Sequence, residues 1–192
     1  MRLDSKVIAI TGGSQGLGRA LAKACCREGA RVAIIGRDFH KLESVRKEIG
    51  ERVVCFPCDI GDSVEVSNTF KKIEAQMGGL DALVNNAGIY PIFKLETASD
   101  EQLRSVINTN LLGAMYACRE AIPLLKKSRG DIINVSSEAV RFYPPLLSVY
   151  TASKSALEAF SQSLRVELAP SGVRVAALRV GHLVREDPSP LD

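Results

Sequence analysis

Tyr150 and Lys154, in Tyr150-Thr151-Ala152-Ser153-Lys154, stand four residues apart at the start of a stretch with helical period. On a helix this spacing puts both side chains on one face, one turn apart, so the ammonium can act on the phenol. A free phenol titrates near about 10, too high for a proton carrier at neutral pH, and a fixed positive charge stabilises the phenolate and lowers that value. The pair is expected to work as a general acid in one direction and a general base in the other. Taken alone, the same spacing also suits an exposed Tyr–Lys pair, so its meaning depends on its surroundings.

A second cluster lies near the start of the chain. Thr11-Gly12-Gly13-Ser14-Gln15-Gly16-Leu17-Gly18 follows an apolar run and opens into a helical stretch, with four glycines in seven residues. Backbone of this kind approaches a ligand without a Cβ in the way, while the free N–H groups and dipole of the new helix attract a pyrophosphate. In outline this is a dinucleotide site. The turn has no Gly-Lys-Ser/Thr ending, which disfavours a nucleoside triphosphatase loop.

The spacing of Thr11, Gly12, Gly16 and Gly18 resembles the T-G-x-x-x-G-x-G turn of the short-chain dehydrogenase/reductase family. The resemblance extends to Asn85-Asn86-Ala87-Gly88, similar to that family's N-N-A-G loop, to Asn110, and to Ser137, thirteen residues before Tyr150. It covers roughly residues 5 to 182. What it implies is a Rossmann-type α/β fold and an oxidoreductase that moves hydride between a nicotinamide and a carbonyl or secondary alcohol substrate, with Tyr150 as general acid/base. The catalytic residues carried over are Asn110, Ser137, Tyr150 and Lys154. Ser137, rather than Ser136, aligns as the hydroxyl that holds the developing oxyanion, and without an adjacent histidine it is poorly equipped as a nucleophile. Asn110 is expected to support a water leading to Lys154.

The resemblance also implies a cofactor-binding set: Gly12, Ser14, Gln15, Gly16, Leu17, Gly18, Asp59, Ile60, Asn86, Ala87, Gly88, Tyr150, Lys154 and Gly181. Asp59 and Ile60 take the adenine side. A buried amide tying neighbouring strands serves Asn85 equally well, so the closer contact is expected from Asn86, Ala87 and Gly88. NAD sites place an acidic residue about 20 positions after the turn to hold the ribose 2′-hydroxyl. Here Gly36-Arg37 stands in that place, and a cation there pairs with a 2′-phosphate, so NADP(H) is expected in preference to NAD(H). Asp38 is expected to cap the next helix.

Some positions depart from the family pattern. Gln15 stands where a basic residue is common, Val180 replaces a proline before Gly181, and Arg185 falls where a threonine would align. His182 reads as polar surface and is left out of the site. The chain stops where relatives continue with a substrate lid, another helix and a seventh strand, so a C-terminally shortened member or fragment is expected, its last strand an exposed edge. Two readings stay open: an NADP(H)-dependent oxidoreductase, and a catalytically silent NADP(H)-binding or interaction protein.

These residues need elements to position them. Short β-branched runs at 6–11, 31–35, 52–56, 82–85, 131–136 and 173–178 alternate with helical periodicity at 17–28, 38–49, 63–77, 100–127 and 149–168. That alternation predicts βαβ units and a doubly wound parallel sheet of six strands with helices on both faces. One domain is expected over 1–184, with a polar tail at 185–192. The 192 residues, 46% of them hydrophobic, suffice for one packed core. A net charge of +3, spread without like-charge blocks, argues against nucleic acid as a partner.

The apolar run at residues 7–10 is far too short to cross a membrane. Five cysteines suit a reducing, cytoplasmic setting better than a disulfide framework. Two histidines are too few to make a zinc site of Cys55-Phe56-Pro57-Cys58 and too few to favour a Ser-His-Asp hydrolase, so no metal is expected. The long, apolar fourth and fifth helices, together with the family resemblance, lead to the expectation of a homodimer through them.

Overall fold

A computed structural model describes residues 2–181; His182, Arg185 and the expected tail lie outside them. All six expected strands form: β1 Val7–Thr11, β2 Arg31–Gly36, β3 Val53–Pro57, β4 Ala82–Asn85, β5 Asp131–Ser137 and β6 Arg174–Val180. They make one parallel sheet in the order β3-β2-β1-β4-β5-β6. The chain winds outward from β1 to β3, then crosses back to β4 and winds outward the other way. This reversal leaves a crevice above the C-terminal ends of β1 and β4, where open α/β sheets take ligands.

Period-two alternation divides the sheet's side chains between two cores. Val7 and Ala9 face one, with Phe70, Ile73, Leu125 and Leu164 from covering helices. Ile8 and Ile10 face the other, with Ala22, Leu42 and Val45. The helices are α1 Gly16–Arg27, α2 Phe39–Ile49, α3 Ser63–Met77, α4 Asp100–Ile107, α5 Gly113–Ser128, α6 Ala139–Phe142 and α7 Ser148–Leu168. Asp38 caps α2 by accepting from the Lys41 N–H, and Asp62 caps α3. Ser99 and Gln102 form a reciprocal capping box on α4. The start of α1 differs: Gln15 makes no side-chain cap, and no acid stands in the first turn.

The helix expected without interruption over 100–127 is instead broken by a π turn, Asn108–Leu112, between α4 and α5. Periodicity did not signal this, because the apolar spacing runs on through the turn while the buried Asn110 is drawn to partners elsewhere in the fold. The short α6 was likewise not anticipated. The last strand starts one residue later than expected and runs two further, to Val180, because its whole length pairs with β5.

Buried amides stitch the centre of the sheet. Asn134, fully buried on β5, accepts from Asn85 Nδ2 at 2.8 Å and donates through Nδ2 to Ser161 Oγ on α7 at 2.8 Å. Asn85 Nδ2 also reaches Cys118 Sγ at 3.2 Å, so Asn85 is a structural tie. Among the described residues no helix is long and apolar enough to cross a membrane. Replacing Asn134→Ala strands these groups, at a cost of about 1–3 kcal/mol. At about 2–4 °C per kcal/mol for a chain of this size, thermal unfolding followed by circular dichroism is expected to show a Tm lower by about 2–12 °C. A change under about 1 °C would remove this network from the fold's support.

Candidate active site

The glycine turn closes against the loop after β4. At Gly12, φ is +67°, and an added Cβ would lie 2.9 Å from Ala87 Cα. At Gly18 an added Cβ would run into the Gly12 carbonyl and lie 2.6 Å from Asn86 Nδ2. Only glycine fits either place. Thr11 Oγ1 accepts from the N–H groups of Asn86 and Ala87, both at 3.0 Å. Asn86 Nδ2 donates to the carbonyls of Thr11 at 3.0 Å and Gly12 at 3.2 Å. The amide expected to contact cofactor therefore braces the turn, because buried carbonyls at the turn's start need a donor. Thr11 was quoted as part of the motif, but its bracing role was not foreseen.

Beyond the brace, the turn is open. Gln15 and Gly16 are exposed, nothing lies within 4 Å of a Cβ placed on Gly16, and the first N–H groups of α1 have no side-chain cap. This cradle fits the pyrophosphate of a dinucleotide. Leu17 turns its side chain into the core and has only backbone to offer. Ser14 Oγ lies beside Gly36, 3.6 Å from a Cβ placed there, and the exposed Arg37 follows Gly36 directly. Asp59 Oδ1 accepts from the Gly61 N–H at 2.9 Å, which fixes the loop after β3. Ile60 is buried against Gly113. Gly181, at the end of β6, is exposed.

The other wall of the crevice is α7 laid along β5. Tyr150, Lys154, Glu158 and Ser161 succeed one another at four, four and three residues, one helical stripe facing the strand. Lys154 is 4% exposed, and its Nζ donates to the Val135 carbonyl at 2.8 Å. Ser136, also buried, donates to Glu158 Oε1 at 2.7 Å, and Arg179 on β6 pairs with both Glu158 oxygens at 2.8 and 2.6 Å. Ser136 is thus occupied and Ser137 is the serine beside the Tyr150 phenol, with its Oγ accepting from the Ala139 N–H at 3.1 Å. Glu158 and Arg179 carried no motif signal, since only the β6 pairing brings Arg179 level with Ser136.

Asn110 closes the back of the site. Its Oδ1 accepts from the Ile89 N–H at 2.8 Å, and its Nδ2 donates to the Ile89 carbonyl at 2.9 Å and to Ser153 Oγ at 3.1 Å. Protein atoms thus meet both ends of this amide. Ser153, between Tyr150 and Lys154 in the sequence, also donates to the Tyr150 carbonyl at 2.7 Å and was not singled out. A Cβ on Gly88 would lie 3.3 Å from Asn110 Oδ1 and 3.4 Å from Lys154 Nζ, so the N-N-A-G loop ends at the lysine.

Burial governs the charges. It pushes the Tyr150 phenol above its ordinary value, and the adjacent Ser137 hydroxyl draws it only part of the way back. The lowering expected from Lys154 does not outweigh burial here: its ammonium lies 6.0 Å from the Tyr150 ring centre and donates to the Val135 carbonyl. Burial also lowers Lys154 to about 8. The same cause pushes Cys55 and Cys118 up to about 12, so neither is poised as a thiolate. Among the described residues no three metal-ligating side chains gather.

A family model described as short chain dehydrogenase matches residues 6–184. A 3-oxoacyl-[acyl-carrier-protein] reductase of Bos taurus is 37% identical over 179 residues, covering 93% of this chain and 76% of that protein. A 3-ketoacyl-(acyl-carrier-protein) reductase from Brucella melitensis, solved in complex with NADH, superposes with a TM-score of 0.90 at 32% identity, over 93% of this chain and 76% of that one. A putative short-chain alcohol dehydrogenase from Sinorhizobium meliloti 1021 gives a TM-score of 0.92 at 28% identity, over 98% and 77% of the two chains.

Lys154 is expected to titrate near pH 8 in lysine-selective NMR, apart from the surface lysines and absent in Lys154→Met. Between about 8 and its ordinary 10.5 the unfolded chain holds a proton that the folded chain has released, so this group's contribution to stability rises with pH across that window. A Lys154 resonance titrating with the surface lysines would contradict the burial described above.

Proposed function

This chain belongs to the short-chain dehydrogenase family, and on that premise we propose that it transfers hydride between a nicotinamide dinucleotide, NADP(H) in preference to NAD(H), and a carbonyl compound or secondary alcohol. The observation that carries the reading is the convergence of Ser137, Tyr150 and the buried Lys154 on one stripe of α7 and β5, with Gly88 between that lysine and the glycine turn. The NADH complex of the Brucella melitensis relative supports the cofactor class.

A bound nicotinamide dinucleotide supplies or accepts the hydride. The residues suited to hold it are the open turn from Gly12 to Gly18 with the uncapped start of α1, Ser14 and Arg37 at the end of β2, Asp59 and Ile60 after β3, and Ala87, Gly88 and Gly181 toward the reacting end. Tyr150 holds a proton at Oη. The phenol, which burial biases further toward its protonated form, gives a proton to a carbonyl oxygen during reduction, and its phenolate takes a proton from the alcohol during oxidation. Ser137 Oγ donates to the same oxygen as negative charge grows there. The Lys154 ammonium offsets charge on the phenolate that remains, and it is the protonated lysine that does so. Association through α4, α5 and α7 completes the proposal as a homodimer.

Tyr150→Phe is expected to lower NADPH-linked ketone reduction by about 10²-fold or more while calorimetric affinity for NADPH is retained. A variant as active as the parent would remove Tyr150 as proton donor, and a parent that binds NADPH without turnover on any ketone would leave a silent dinucleotide binder. Arg37→Asp tests the cofactor preference separately. Losing a charge-assisted contact worth about 1.5–3 kcal/mol should shrink the NADPH-to-NADH affinity ratio by about 10- to 100-fold, and an unchanged ratio would overturn the assignment.

A further inference from the structure

Among the described residues ten large apolar side chains are exposed, and six of them, Tyr90, Ile92, Leu95, Phe142, Tyr143 and Leu146, fall in two short segments. One segment follows β4 and the other joins β5 to α7. They run side by side, the Phe93 N–H donating to the Leu146 carbonyl at 3.2 Å. Tyr90 stands edge-on to Tyr150, with ring centres 6.2 Å apart. Tyr143 and Leu146, with Pro144, Pro145 and Thr151, line a groove of about 460 Å³ at the start of α7.

Two of these residues also carry backbone strain. Tyr143 and Leu146 sit at φ +48° and +65°, in the left-handed region that glycine or asparagine occupies at lower cost. Burial does not offset that strain, since they are 71% and 45% exposed. Folding alone therefore accounts for neither side chain, and strain of this kind gathers at ligand sites. Among the described residues the charges in the two segments are paired among themselves, Lys94 with Glu96 at 3.7 Å and Glu138 with Arg141 at 3.9 Å, so these segments set no lone cation toward an acidic substrate.

We propose that the substrate carries an uncharged apolar body of several carbons beside the reacting carbonyl, and that this body lies on Tyr90, Tyr143 and Leu146. The inference rests on the oxidoreductase reading above and names the substrate class of the same site. It is tested by following oxidation of NADPH, and of NADH, with 2-butanone, 2-hexanone and 2-octanone, and with 5-oxohexanoate as the charged counterpart. Expected is a kcat/KM that climbs by about fourfold per buried methylene, with 5-oxohexanoate at least about tenfold below 2-hexanone.

Tyr143→Asn and Leu146→Asn should flatten that climb while Tm holds or rises, because asparagine tolerates the left-handed backbone. A level series, a preference for the keto acid, or asparagine variants that lose several degrees of Tm and keep the slope would overturn the proposal. So would variants that keep the slope while light scattering shows a dimer falling to monomer, which would assign the surface to a second copy of the chain. A parent that reduces no ketone would instead overturn the oxidoreductase reading, and this one with it.

Discussion

The Lys154 ammonium is a charge held almost out of water, and such a group persists only where an acceptor meets it. The Val135 carbonyl does so, and the bond makes α7 lie along β5 in one register. The other links on the same stripe follow from it: the phenol of Tyr150 beside Ser137, the carboxylate of Glu158 on Ser136, the hydroxyl of Ser161 on Asn134. Slipping the helix by one residue would break all of them together. Arg179 extends the arrangement to β6, holding Glu158 ionised and pulling its pKa below the usual carboxylate range. The spacing between the candidate proton donor and the candidate oxyanion donor is thus set by a ladder of polar contacts within an apolar sandwich.

A second set of polar groups joins this ladder to the glycine turn. Thr11 and Asn86 bind the turn to the loop after β4, and Asn110 binds the next residues of that loop to α7 through Ser153. Ile89 contributes both its N–H and its carbonyl to Asn110, which draws the asparagine inward at the π turn. Buried polar networks cost stability unless every member is paired, and when paired they select one geometry over near alternatives. Several motif residues therefore brace the site, leaving its open surface to backbone N–H groups, Ser137, Tyr150 and Arg37.

Burial moves the two titrating groups in opposite senses, the phenol up and the ammonium down, so each is biased toward its neutral form. At neutral pH the phenol keeps its proton firmly while the lysine, near 8, is still mostly charged. A proton donor beside a cation is the state suited to reduction of a carbonyl. The exposed, strained apolar residues after β4 and β5 contrast with this dry interior: hydrophobic surface stays uncovered beside Tyr150, and among the described residues the charges of those segments pair with one another.

By itself the sequence determined the features that depend on neighbours in the chain: the alternation of six strands with helices, the glycine turn opening α1, the Asp38 cap, and Tyr150 and Lys154 on one helical face. The family resemblance singled out Ser137 over Ser136; in the structure Ser136 bonds Glu158 and Ser137 lies beside the Tyr150 phenol. Only the tertiary structure decided that Asn86 braces the turn, that a π turn interrupts the fourth helical stretch, that Glu158 meets Arg179, and that the Tyr150 phenol shifts upward. Each of these depends on partners far apart in the chain, as with Asn85 and Asn134, 49 residues apart and 2.8 Å from contact atom to contact atom. Local periodicity records which face a side chain takes; whether it meets water, a carbonyl or a charge is settled when the sheet assembles.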